Sequence, residues 1–139
     1  MMIILDTNVL SELMKSQPNI SVASWIGKQQ ATKLFITSLT QAEILYGLEI
    51  LPEGKRRTAL KQAAKAMFDL DFTGRILPFD TKAAKLFATL GAKRRKLGRP
   101  ISQIDAQIAA VTLAKNATLV TRNVDDFEEC GIEIINPWE

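Results

Sequence analysis

Apolar residues along this chain come in short unbroken blocks, separated by longer stretches with helical periodicity. The first block, Met2-Ile3-Ile4-Leu5, is wholly apolar and ends abruptly on Asp6. A run of that length without alternation predicts a strand buried on both faces, as in a parallel sheet. Asp6-Thr7-Asn8 supplies helix-capping side chains, so Val9 to Met14 reads as a short helix and Ile20 to Lys28 as a second. Leu34-Phe35-Ile36-Thr37 is the next strand, and a helix from about Leu39 to Ile50 follows until Pro52-Glu53-Gly54 breaks it. The next helix spans about Lys55 to Leu70, with Leu60, Ala63, Ala64, Met67 and Phe68 as its apolar stripe.

Ile76-Leu77 is a short strand before Pro78, and Asp80 or Thr81 caps a helix whose inner side is read as Ala84, Phe87, Ala88 and Gly91. Gly98-Arg99-Pro100 ends it. Ser102 opens a helix to about Lys115, Thr118 to Thr121 is a strand, Val124 to Glu128 a short helix, and Glu133 to Ile135 the last strand. Short apolar strands alternating with helices define an α/β fold of three layers around a parallel sheet. No repeat, low-complexity tract or flexible linker interrupts the pattern, so residues 1–139 are expected to form a single domain.

Composition narrows the chemistry more than the fold. With 47% hydrophobic and 24% charged residues, the chain has the balance of an ordinary globular protein. No stretch approaches the roughly 20 apolar residues needed to cross a bilayer, and the start lacks a basic n-region. A cytoplasmic protein with no membrane partner is expected. Cys130 is the only cysteine and histidine is absent. Intrachain disulfides, thiolate-rich zinc sites, His-dependent triads and HExxH metalloproteases are thereby excluded. Catalysis, if any, rests on carboxylates, lysines, hydroxyls or a hard metal ion. The net charge of +3 points only weakly to a polyanionic partner.

Three acids stand out by position. Asp6 follows the first strand directly, at the carboxyl edge where open parallel sheets bind ligands; taken alone, it is equally a helix N-cap. On its helix Glu43 shares a row with Leu39, Tyr46, Gly47 and Ile50, an apolar stripe. Asp105 shares a row with Ile108, Ala109 and Thr112. Acids on buried faces need a cation, a donor or a metal beside them, a salt bridge being the plain alternative. Clustered carboxylates raise one another's pKa unless a divalent cation compensates. Hard oxygen ligands without His or Cys select Mg²⁺ or Mn²⁺. A fourth corner is Thr121-Arg122-Asn123-Val124-Asp125-Asp126-Phe127. It is either a capping arrangement of Asn123 with Asp126, or a further acid (Asp126 or Asp125) with Asn123 or Thr121 as supporting hydrogen-bond partners.

Four segments together resemble the PIN-domain family, specifically toxins of the VapC type and their FitB-like relatives. They are Leu5-Asp6-Thr7-Asn8-Val9-Leu10, Thr37 to Gly47, Ile104-Asp105-Ala106-Gln107-Ile108-Ala109-Ala110, and Leu119 to Phe127. The resemblance implies a three-layer domain with a parallel five-stranded sheet of order 3-2-1-4-5 flanked by helices, and Mg²⁺- or Mn²⁺-dependent cleavage of RNA phosphodiesters. It implies Asp6 and Asp105 as metal ligands, Glu43 as third catalytic acid, and Asn8, Thr121 and Asn123 as supporting residues. The family often carries an acid where this chain has Asn123, so that carboxylate is either missing or supplied by Asp126, and one-metal and two-metal chemistry both stay open. The resemblance also implies a VapB- or FitA-like antitoxin, a toxin homodimer, and an RNA substrate, with tRNA the first candidate.

Lys93-Arg94-Arg95-Lys96 with Arg99 is the densest positive run, and Lys55-Arg56-Arg57 a second. Cations at a helix C-terminus are favourable in themselves, yet Arg94, Arg95 and Arg99 lie close before Asp105 and are assigned to RNA contacts. Two competing readings are a PIN-like nucleic-acid-binding module without catalysis, and a haloacid-dehalogenase-type phosphatase. The first is expected to lack one of the three acids, and all are present; the second wants an Asp two residues after Asp6, where Asn8 stands.

Overall fold

A computed structural model describes residues 1–139. Its five strands are β1 (Ile3–Leu5), β2 (Leu34–Thr37), β3 (Ile76–Leu77), β4 (Thr118–Val120) and β5 (Glu133–Ile135). They form one parallel sheet in the order β3-β2-β1-β4-β5. The expected topology is therefore the observed one. β1 lies at the centre and is wholly buried, which explains why its sequence shows no alternation.

Six α-helices cover the sheet: α1 (Thr7–Leu13), α2 (Ile20–Gly27), α3 (Ser38–Glu49), α4 (Lys55–Ala66), α5 (Thr81–Lys96) and α6 (Gln103–Ala114). Side-chain caps start most of them where the sequence places them. Asn19 accepts from Val22 N–H, Thr37 from Thr40 N–H, Asp80 from Ala83 N–H and Ser102 from Asp105 N–H. On one face of the sheet Ile3, Leu5 and Ile36 pack with Val9, Leu10, Ile44 and Phe68; on the other Ile4 and Leu119 pack with α5 and α6. No helix is long and apolar enough to cross a membrane.

Three sequence expectations are corrected. The helix expected over Lys55 to Leu70 leaves α geometry at Ala66 and continues as a wide π turn over Met67–Asp71. The inner side of α5 is Ala83, Leu90 and Arg94 with Leu86 and Phe87, whereas Ala84 and Ala88 are exposed. Small residues surround that helix, so its alanines do not fix the phase; its large side chains do. The expected Val124 to Glu128 helix is a 3-10 turn, Val124–Phe127, and Asn123 makes no side-chain cap on it.

Candidate active site

β1 and β4 end side by side, and their last residues bring Asp6 and Thr121 into contact. Asp6 N–H donates to Val120 O at 2.9 Å, extending the ladder by one residue. Its carboxylate is 4% exposed. Oδ1 accepts from Thr7 N–H at 2.8 Å, so the N-cap reading and the site reading describe the same residue. Oδ2 accepts from Thr121 Oγ1 at 2.7 Å and, more weakly, from Asn8 Nδ2 at 3.5 Å. Asn8 bridges the two strand ends: Nδ2 also donates to Thr121 Oγ1 at 3.3 Å, and Oδ1 accepts from Arg122 N–H at 3.4 Å. Asn123 N–H donates to Thr121 Oγ1 at 3.1 Å, so Asn123 reaches this network through its backbone.

Glu43 arrives from α3. Thr7 Oγ1 donates to Glu43 Oε1 at 2.6 Å, joining the third acid to the residue next to Asp6. A hydroxyl has one proton, so in its 3.0 Å contact with Thr40 Oγ1, Thr7 accepts. Thr40 in turn accepts from Thr37 Oγ1 at 3.5 Å, giving a directional chain from the end of β2 to Glu43. Thr37 and Thr40 are fully buried. Sequence reasoning missed Thr7, Thr37 and Thr40 as site residues. Their signal was a polar residue, Thr40, in the row of Ile44 and Leu48, which needs a partner when buried.

That row also corrects the expectation for Glu43. The buried face of α3 is Thr40, Ile44 and Leu48, whereas Tyr46 and Ile50 are 68% and 66% exposed and Glu43 itself faces solvent. Asp105 is half-buried, in the row of Ile108, Ala109 and Thr112, all fully buried.

The electrostatics tie these acids together. Burial pushes the Asp6 carboxyl up from 3.8 to about 6, the bonds from Thr121 and Thr7 oppose this, and the charges of Asp105 and Glu43 add to it. Asp105 is also raised, by burial first; the Ser102 hydroxyl opposes the rise and the charge of Asp126 adds to it. Asp6, Glu43, Asp105 and Asp126 thus form one chain of interacting acids, with Asp126 exposed on the turn opposite Asp105.

The basic cluster divides. Arg94 is 4% exposed, against its expected role in RNA contact, because the i+4 spacing from Leu90 carries it to the inner side of α5. Its Nε and Nη1 donate to carbonyls of Arg99, Asp126 and Glu128. Arg99 is exposed but pairs with Glu128 at 3.1 Å and reaches Asp125 O at 3.5 Å. Arg95 is exposed and forms no ion pair. Arg122, which sequence reasoning passed over, is exposed and lies over the Trp138 ring, 5.2 Å from its centroid.

Donors at the site are hard oxygens throughout: carboxylates and threonine hydroxyls. The one cysteine, Cys130, is engaged by Arg94. That donor set fits Mg²⁺ or Mn²⁺. No three acids stand close enough to enclose an ion by themselves, so an ion held at this edge would need waters to complete its coordination.

The chain belongs to the PIN-domain family, whose model matches residues 3–132. It is 41% identical over 138 residues to the VapC ribonuclease Y4jK of Sinorhizobium fredii, covering 99% of both chains. It is 33% identical over 137 residues to Toxin FitB of Neisseria gonorrhoeae, again covering 99% of both. Its backbone matches that of a chain in the structure of FitAB bound to an IR36 DNA fragment, with a TM-score of 0.94 at 33% identity, covering 99% of this chain and 96% of that one. VapBC2 from Rickettsia felis, bound to a DNA fragment from its promoter, matches with a TM-score of 0.76 at 26% identity, covering 98% of each chain.

Proposed function

We propose that this protein is the toxin of a toxin–antitoxin pair, a Mg²⁺- or Mn²⁺-dependent endoribonuclease that hydrolyses RNA phosphodiesters, with tRNA the first substrate to test. The observation that carries this reading is Asp6. A carboxylate buried at the open edge of a sheet, raised to about 6 and facing two further acids, is held where a divalent cation relieves the cost of its charge.

Asp6 and Asp105 are the residues that would hold the ion, and Asp126 the acid available from the opposite side. A bound ion supplies Lewis acidity and neutralises charge that develops on the phosphate. Thr121 and Asn8 fix the Asp6 carboxylate through its Oδ2. Glu43, exposed and held by Thr7, orients the attacking water and accepts its proton, a task that falls to a carboxylate in a chain without histidine. Arg122 and Arg95, both exposed and in no ion pair, contact RNA phosphates. Asn123 supports Thr121 through its backbone.

The partner is a VapB- or FitA-like antitoxin. A groove of about 770 Å³ opens beside Glu43 and Thr7 and runs to Lys15 and Arg56, large enough for a partner's segment. Leu45, Tyr46 and Ile50, exposed on α3, suit a homodimer contact. The chain acts in the cytoplasm as a single domain.

The test is cleavage of total RNA and of purified tRNA by the purified chain, with Mg²⁺ or with a chelator, followed by sequencing of the new 5′-phosphate ends. Discrete metal-dependent cuts that vanish in Asp6→Asn support the reading. Equal cleavage by Asp6→Asn, or cleavage in chelator, overturns it.

A further inference from the structure

We infer that Arg94 is a positioning residue: its buried guanidinium fixes the turn from Asn123 to Cys130 so that Asp126 stands opposite Asp105 as the fourth acid. The inference rests on the nuclease reading above.

Arg94 is 4% exposed and forms no ion pair with any carboxylate. A buried cation without a counter-charge is costly unless each donor is satisfied, and here the partners are backbone carbonyls. Nε donates to Arg99 O at 2.8 Å; Nη1 donates to Asp126 O at 2.8 Å and Glu128 O at 2.9 Å, with Cys130 Sγ at 3.5 Å. One planar group thus fastens the loop after α5 to the turn after β4. A lysine cannot reproduce this, because its donors share one nitrogen and lack the fixed fork.

The turn needs such fastening. Glu129 has φ +62°, a left-handed conformation that a residue with a Cβ resists. Arg94 grips the carbonyl just before it. On the other side Phe127 is 1% exposed and anchors the turn in the core. Asp126 directly precedes Phe127, its own carbonyl held by Arg94 and its side chain exposed. Asn123, where the family often carries an acid, makes no side-chain cap on the turn. The turn nevertheless packs against α6, the helix whose first turn carries Asp105. The turn therefore presents an acid three residues later, and Arg94 sets where it stands.

The test is a double-mutant cycle of Arg94→Lys, Asp126→Asn and both together. It is read by Mn²⁺ titration of the RNA-free protein and by RNA cleavage below the unfolding range of every variant. Each single variant is expected to weaken Mn²⁺ binding and cleavage by about tenfold, the scale of lost supporting partners at metal sites. The double variant is expected to be no weaker than Asp126→Asn alone. If Arg94→Lys costs the same factor in the Asp126→Asn background, Arg94 is a structural staple and the inference fails. Wild-type Mn²⁺ affinity and cleavage in Asp126→Asn would leave Arg94 no acid to position, with the same consequence. If Arg94→Lys does not fold, the cycle is run with Arg94→Gln. Failure of both to fold overturns the inference, since placing one acid leaves the fold standing. Asp6→Asn separates the two readings: its retained cleavage sinks the nuclease assignment, whereas its inactivity with an additive cycle sinks only the role of Arg94.

Discussion

The two sides of the acid cluster are built by different means. Around Asp6, bonds between side chains predominate: the Thr121 hydroxyl and the Asn8 amide converge on one buried carboxylate beside the Thr7 backbone N–H, and the Thr7 hydroxyl passes the connection to Glu43. Around Asp126, one side chain bonds to backbone: Arg94 grips carbonyls, and the acids of the turn stay exposed. The first side places a charge where burial raises its pKa, and therefore where a cation is most wanted. The second places a charge in solvent and controls only its position. On the reading proposed above, a site assembled this way would separate binding strength, set by Asp6, from geometry, set by the turn.

That contrast is broken most severely at its buried end. Asp6→Asn or Asp105→Asn is expected to lower single-turnover cleavage on the order of 10³-fold, the scale of losing a main electrostatic group in an active site; losses within tenfold would place the metal elsewhere. Thr121→Val removes the 2.7 Å bond to Asp6 and the anchor of Asn8 together. It is expected to cost about 10- to 100-fold in the Mg²⁺ concentration needed for half activity. Thr7→Val frees Glu43 while leaving the side chains of Asp6 and Asp105 in place; kcat is expected to fall about tenfold with KM unchanged, as for a group that loses its orientation. On the exposed side, Arg99→Ala breaks the solvent-facing pair with Glu128 and the long contact to Asp125 O. Denaturant melts are expected to move by about 0.5 kcal/mol or less, and a larger shift would mean that Arg99 shares the fastening role of Arg94.

Legibility from sequence follows the same division. The strands were readable because blocks such as Met2-Ile3-Ile4-Leu5 lack alternation, and helix starts such as those of α5 and α6 because Asp80 and Ser102 are capping types at the right places. Asp6 was legible because a strand's end and the carboxyl edge coincide there. Arg94 was not, because a charge run reads as solvated, and only the large residues Leu86, Phe87 and Leu90 reveal that position 94 turns inward. Glu43 was misjudged for a related reason: α3 carries apolar residues almost all round, so no stripe identifies its buried face. Contacts that bridge distant segments, such as Thr7 to Thr40 or Arg94 to Glu128, leave no trace in local periodicity.

Asp6 also offers the most direct measurement, because its cost can be read without substrate. Between pH 3.8 and about 6 the folded protein keeps a proton that the unfolded chain has released, so metal-free stability falls as pH rises through that window and levels off above it. The gap corresponds to about 3 kcal/mol. Thermal melts of wild type and Asp6→Asn at neutral pH, with chelator and with Mg²⁺, test this together. Asp6→Asn is expected to melt above wild type in chelator, and Mg²⁺ to raise the wild-type midpoint by several degrees while leaving Asp6→Asn unmoved. A less stable Asp6→Asn whose midpoint still rises with Mg²⁺ would contradict this: the buried carboxylate would then be a structural cap, and the ion would bind without it.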